Sequence, residues 1–537
     1  MTSTIPFSST MITRPDVTNP VLPGFHPDPS ILRVGGDYYL ATSTFQWWPG
    51  VAIYHSRDLV NWRLAARPLD RLSQLDIRSN ADSGGIWAPC LSHDGVQFHL
   101  IYTDVKSWGV REVFKDSHNY LSTAPSIDGP WSEPVFMNSS GFDPSLFHDE
   151  DGRKWFLNMV WDHRPNRNAF AGIVLQEYSP AEGRLVGPRT IIFTGTEIGV
   201  VEGPHLYRRS GWYYLVTAEG GTSWEHAVTV ARSRHLHGPY EVHPENPILS
   251  AVDDPSLLIQ KPGHSSFTDT EGGEWLLAHL CGRPIIPRGD CPLGRETGLQ
   301  GLIWGDDDWP RLAQGGHHPA LHPTLPVLPA HPWPAVPARD DFEGTELRPE
   351  WMTLRSPGDI QGVSVQGGRL RLIGCESLMS RHRVALLARR LQSLQARFTT
   401  ALDFVPEDFQ QMAGVCAYYD SRNWVYLRLS HDEMVGRALN IVSCENGQYR
   451  EHLPAEVSVE GGPVELAVQY SGAAFHFEYR QGEAAWTRIG EDFSAGLLSD
   501  EHCGGLSFTG TFLALTCQDL SGRRLSADFL YAEYTEQ

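Results

Sequence analysis

The sequence predicts an all-β protein, a five-bladed β-propeller followed by a β-sandwich. Three observations predict it: a repeat of about 60 residues through the first 310, period-two apolar alternation through the last 200, and no long window of helical 3.6-residue periodicity.

The repeat sets the blades. HPDPSILRVGGDYYLATS from His26, WAPCLSHDGVQFHLIYTD from Trp87, FDPSLFHDEDGRKWFLNMVW from Phe142, EGPHLYRRSGWYYLVTAEGG from Glu202 and GHSSFTDTEGGEWLLAHL from Gly263 share one pattern. Each has an apolar strand, a Gly-bearing turn and an aromatic-rich strand. The same place in the unit is held by Asp28, Ala88, Asp143, Gly203 and His264, at spacings of 60, 55, 60 and 61. A third strand-and-turn signal follows, as in VAIYHSRDLVNW from Val51, NYLSTAPSIDGPW from Asn119 and VTVARSRHLHGPY from Val228. Four strands in a unit of this size make a propeller blade. Residues 16–316 are therefore assigned to the propeller, and 1–15 to a disordered extension.

His317 to Arg339 carries seven prolines and reads as an extended linker along the surface, since proline cannot join a central strand. From 340 to 537, segments such as GRLRLIG (from Gly368), WVYLRLS (from Trp424), VELAVQY (from Val464) and FHFEYR (from Phe475) alternate with the two-residue period of a sandwich.

Composition narrows the function. The chain has 537 residues, enough for several cores, and 43 Lys and Arg against 64 Asp and Glu, a net charge of −21. Lysine occurs only at Lys106, Lys115, Lys154 and Lys261. Such a chain repels phosphate backbones and anionic lipid, so neither nucleic acid nor membrane is expected as a partner. The eight cysteines show no CxxC pair or metal-ligand spacing, and Met1 to Thr18 lack signal-peptide character; a reduced, cytoplasmic protein is expected. The 57 aromatics suit both core packing and stacking platforms.

Residues that begin the innermost strand of each blade converge at one end of the channel. That brings together Asp28, Asp143 and Glu202, with Trp87 and His264. Asp-Pro also starts ordinary turns, the reading preferred for Asp254-Pro255, which lies off the repeat register. Buried carboxylates among aromatics suit glycoside hydrolysis: one acid protonates the leaving oxygen, and one carboxylate activates water or attacks the sugar. A third can keep the acid protonated by like-charge repulsion. A metal site is the rival use of the same groups. The residues alone do not order the three carboxylates.

HPDPSIL, STFQWWPGVAIYHSRDLVNW, GGIWAPCL, GFDPSLF, VEGPHLY, PGHSSF and LGRETGLQ, in this order, resemble glycoside hydrolase family 43, and within it the two-domain β-xylosidases. The resemblance runs from Asn19 to the C-terminal CGGLSFTGTFLALTCQDLSG. It implies a five-bladed propeller with a concanavalin-like sandwich, and hydrolysis with inversion. It implies Asp28 as general base, Glu202 as general acid and Asp143 as the carboxylate that orients and tunes the acid. It also implies Phe45, Trp87 and Trp161 at the sugar subsites, His264 at the pocket floor and Arg295 on the sugar hydroxyls. It implies, too, Phe508 as the aromatic that the sandwich lends to the pocket, with Phe512 as its rival. Some members hold a divalent cation near the position of His264; nothing in this sequence decides that, and no metal or cofactor is assigned.

The expected activity is an exo-acting, inverting β-xylosidase that releases xylose from the non-reducing end of β-1,4-xylo-oligosaccharides, with α-L-arabinofuranosidase as a side or main activity. A homo-oligomer, dimer or tetramer, is expected from the same resemblance. An invertase-like fructosidase would typically carry Asn-Asp-Pro-Asn and Glu-Cys-Pro where His26-Pro27-Asp28-Pro29 and Glu202-Gly203-Pro204 stand. A non-catalytic sugar-binding propeller would not need all three carboxylates.

Overall fold

The structure, a computed structural model, describes residues 11–14, 16–109, 112–504 and 507–537. Five antiparallel sheets follow one another in chain order, and each runs in chain order from the axis outward, with Trp47–Trp48 left out of blade 1 and a short extra strand, Leu249–Ser250, added to blade 4. Blade 1 begins at Ser30–Val34, blade 2 at Gly85–His93, blade 3 at Ser145–His148, blade 4 at Glu202–Arg209 and blade 5 at Gln260–Asp269. These innermost strands touch in a ring, blade 5 closing on blade 1. The chain before blade 1 secures the closure. The Asn19 side chain donates to Leu299 O (2.7 Å) and accepts from Leu299 N (2.9 Å) on the third strand of blade 5, and Leu22 pairs with Thr297.

The repeat has a conformational basis. All five aligned residues have a left-handed backbone: φ is 55° at Asp28, 40° at Ala88, 55° at Asp143, 57° at Gly203 and 39° at His264. Only glycine takes this region freely, and Asp tolerates it better than Ala or His. One kink therefore recurs where each blade meets the axis, and it leaves a register shift in the innermost strands of blades 2, 4 and 5. Asp254 stands outside this pattern and caps a local turn, accepting from Ser256 N and Oγ.

Two expectations are corrected. Met11–Thr13, assigned to a disordered extension, pairs with Thr324–Pro326, so the proline-rich segment supplies a short strand as well as a connection. Residues 1–10 and 15 lie outside the described residues. The rest of the segment lies against blade 1, where His331 N donates to Asp58 and Trp333 Nε1 to Asn61 O (3.2 Å).

The C-terminal domain stacks an eight-stranded sheet on a seven-stranded one. The second is apolar on both faces. Leu513, Leu515 and Cys517 point into the sandwich core, whereas Phe512 and Ala514 join a cluster shared with the propeller. On neighbouring strands Val415, Ala417, Val425 and Leu427 face the sandwich, and Cys416, Tyr418, Trp424 and Tyr426 face the propeller. Period-two alternation thus divides one sheet between two cores. Thr353–Leu354 also pairs with Trp47–Trp48 of the propeller. Among the described residues no helix is long and apolar enough to cross a membrane.

Candidate active site

A cavity of about 380 Å³ opens at the axis end marked by the kinks. All nine residues singled out from sequence border it: Asp28, Asp143 and Glu202, the aromatics Phe45, Trp87, Trp161 and Phe508, and the polar pair His264 and Arg295. Phe512 does not; its ring stacks on Trp47 at 3.8 Å inside the interdomain core.

Asp28 and Asp143 are buried and Glu202 is partly exposed to the cavity; the two aspartates are held differently. Ser43 Oγ donates to Asp28 Oδ2 (2.6 Å) while accepting from Ala88 N (2.7 Å), which ties blade 1 to the kink of blade 2. Gly203 N donates to Asp143 Oδ2 (3.2 Å), which ties blade 3 to blade 4. His264 Nδ1 lies 3.9 Å from both Asp28 Oδ1 and Asp143 Oδ2. A Cβ at Gly203 would sit 3.1 Å from that same Nδ1 with φ at +57°, so glycine after Glu202 answers both backbone and space.

Burial drives the electrostatics. It pushes the Glu202 carboxyl up to about 8; Arg295 opposes the rise and the Asp28 charge adds to it. The expectation that like-charge repulsion raises the acid is therefore secondary to desolvation. Asp143 is also pushed well above the usual carboxylate range, by burial first and then by Glu202 and Asp28. Burial lowers His264, which stays neutral near pH 7 and offers a hydrogen bond without a charge. Among the described residues, three ligand atoms within 4.8 Å of one another occur only at Asp253, His317 and His318, on the surface.

The sandwich closes one side. Phe508 stacks on Trp108 (4.7 Å, 19°), meets Trp87 edge-on at 5.4 Å, and carries the Arg295 guanidinium at 4.2 Å. Its backbone N donates to Ser83 Oγ (3.1 Å), the residue whose carbonyl accepts from Trp87 Nε1 (2.7 Å). The loop approach is close: a Cβ at Gly294, beside Arg295, would collide with Thr509 O. Arg295 Nε lies 3.5 Å from Asp500 Oδ2 of the sandwich, and Tyr419 OH donates to the other oxygen of that carboxylate.

Several lining groups had no sequence signal strong enough to single them out. Trp108, Lys115 and Phe170 come from loops or strand starts beyond the repeated positions, and Lys115 Nζ sits 4.3 Å over the Trp161 ring. Phe142 directly precedes Asp143 and was within reach of the repeat alignment. Asp500 belongs to the other domain, where no repeat points to the axis.

Phe508→Ala is expected to keep the fold and raise KM for xylobiose by about tenfold, through loss of one aromatic wall. Phe512→Ala should instead lower thermal stability and leave KM near wild type. Steady-state kinetics with parallel melting curves checks both; the reverse pattern would move the wall to Phe512.

Buried carboxylates with one held protonated, at the mouth of a propeller channel walled by aromatics, define a glycoside hydrolase. Residues 17–310 match glycosyl hydrolases family 43, and 339–535 match the beta xylosidase C-terminal concanavalin A-like domain. The chain belongs to glycosyl hydrolase family 43. It is 48% identical to a beta-xylosidase of Bacillus subtilis, with 97% of this chain and 100% of that one aligned. It is 50% identical to a xylosidase/arabinosidase 43B of Humicola insolens, over 97% and 98% of the two chains. The crystal structure of a xylan beta-1,4-xylosidase from Bacillus halodurans C-125 superposes with a TM-score of 0.95 at 50% identity, covering 97% of this chain and 100% of that chain.

Proposed function

We propose that the protein is an exo-acting, inverting β-xylosidase that removes xylose from the non-reducing end of short β-1,4-xylo-oligosaccharides. The observation that carries this reading is the contrast between two carboxylates in one cavity, from blades 1 and 4. Glu202 is raised to about 8 and holds a proton at neutral pH. Asp28 is oriented by the Ser43 hydroxyl and lies on a different blade.

In this reading Glu202 gives its proton to the glycosidic oxygen as the C–O bond breaks. Asp28 takes a proton from a water that attacks the anomeric carbon from the opposite face. Asp143, fixed by Gly203 N–H, faces His264 and orients the acid. Arg295, backed by Asp500, turns toward the sugar hydroxyls. Phe45, Trp87, Trp161 and Phe508 present apolar faces to the sugar rings and exclude water from the reacting centre. The Phe508 wall supports recognition of a chain end over the interior of a polymer. A raised-pKa acid has no use in a non-catalytic sugar-binding propeller. The names of the relatives support xylose as the sugar, and the Humicola insolens name supports arabinofuranoside as a second substrate.

Proton NMR of the first sugar released from a β-xyloside tests the mechanism. Inversion gives α-xylose first. β-Xylose as first product would make Asp28 a nucleophile and overturn its role as base. Side-by-side rates on nitrophenyl β-xyloside and α-L-arabinofuranoside fix the order of the two activities.

A further inference from the structure

A second cavity, about 440 Å³, lies between blade 1, the proline-rich segment and the sandwich. His26, Tyr54, Trp62 and Trp333 form part of its wall, with Arg389 and Arg390 facing them from the sandwich. Arg63 also borders it, its guanidinium 4.0 Å over the Trp333 ring, and Arg67 packs nearby.

Many arginines of this acidic chain engage carboxylates, as Arg57 does with Asp37 and Arg339 with Asp341. Among the described residues, none of Arg63, Arg67, Arg389 and Arg390 forms an ion pair; their partners are carbonyls, a thioether and aromatic faces. Arg390 is only 6% exposed; its Nε donates to Phe25 O (2.6 Å) and its Nη2 has no partner. Arg389 lies over Tyr534 at 4.0 Å with Nε unpartnered, and the Arg67 Nε and His26 Nδ1 are unpartnered too. The one carboxylate in the wall, Glu350, pairs with none of them. Burial and the neighbouring Arg390 charge push Arg67 down to about 10, with Tyr54 and Glu350 opposing the fall. Arg63, Arg389 and Arg390 border the cavity outside any ion pair, and guanidinium groups so placed beside aromatic rings form a receptor for a carboxylate or phosphate attached to a compact ring.

We propose that this interdomain cavity binds the carboxylate or phosphate group of a small ligand such as a sugar acid or sugar phosphate. Arg389 and Arg390 hold the oxyanion, and Trp62 and Trp333 face its ring. The site is separate from the catalytic cavity, with which it shares no lining residue. Through Arg390 and the Phe25 carbonyl it touches the chain three residues before Asp28.

Isothermal titration with D-glucuronate, inorganic phosphate and, as neutral control, the uncharged methyl ester of D-glucuronate tests this. Glucuronate or phosphate should bind the full-length protein at millimolar concentration or below. The affinity should fall by about tenfold or more in both Arg389→Gln and Arg390→Gln, through loss of a charge-assisted hydrogen bond. It should be unchanged in Lys115→Gln, which removes a cation of the catalytic cavity. Preference for one probe assigns the source of the oxyanion. If buried Arg390→Gln fails to fold, the less buried Arg389→Gln decides. No binding of either anion, binding that survives Arg389→Gln, or binding lost in Lys115→Gln would overturn the proposal.

Discussion

Asp28→Asn is expected to lower kcat on every xyloside by about 10²–10⁴-fold, the usual contribution of a positioned base. Asparagine keeps the shape that Ser43 Oγ contacts but cannot accept the proton of the attacking water. Because that water is needed whatever the leaving group, xylobiose and activated aryl xylosides should suffer alike. Glu202→Gln should behave differently. A xylose leaving group departs only with a proton and should lose a comparable factor. A dinitrophenolate departs unaided, so dinitrophenyl β-xyloside should retain most of its rate. The measurement is kcat for both variants across leaving groups of falling pKa. Should the leaving-group dependence appear in Asp28→Asn and not in Glu202→Gln, the two roles are exchanged.

The second large effect concerns stability. Glu202 titrates near 4.5 in an unfolded chain and about 8 in the native protein. Between those values the folded state keeps a proton that the unfolded chain gives up. Stability therefore falls as pH rises through that window and is level on either side of it. Glu202→Gln has the same size and no proton to lose. It should be more stable than wild type at pH 7, by about 1–3 kcal/mol, with the advantage gone near pH 4. Melting temperatures of the two proteins at both pH values, scanned at one rate, provide the test. Parallel shifts at both would mean that Glu202 is not held protonated by the fold. The expected gain at pH 7 alone would make the site one more case in which catalytic groups sit where folding alone would not place them.

Much of this site was legible because it repeats. A spacing of about 60 residues aligned Asp28, Ala88, Asp143, Gly203 and His264, and all five adopt the same left-handed kink. The shared backbone state, more than side-chain similarity, makes the alignment work, since Asp, Ala, Gly and His have little else in common. Where repetition stops, legibility stops. Phe508 and Phe512 are four residues apart and have the same parity, so alternation could not separate them. What separates them is that the strand begins at Phe512 and leaves Phe508 in the loop before it. Trp108 and Lys115 reach the cavity, and Asp500 reaches Arg295, by routes that no periodicity encodes. Met11–Thr13 is too short to show a pattern, and its partner Thr324–Pro326 is hidden among prolines.

The sheet shared between two cores has a consequence for how the molecule comes apart. Separating the sandwich from the propeller would expose Trp424, Tyr426, Tyr418 and Phe512 on one side and Trp47 and Phe25 on the other. Each is a large apolar ring with a strong tendency to associate with the wrong partner once bared. The seven-proline segment is therefore a fastening and not a hinge, and the chain should lose its two halves in a single cooperative step. For exchange between relatives, the heritable unit is then larger than either domain. A foreign sandwich would function on this propeller only if it brought the matching aromatic face with it.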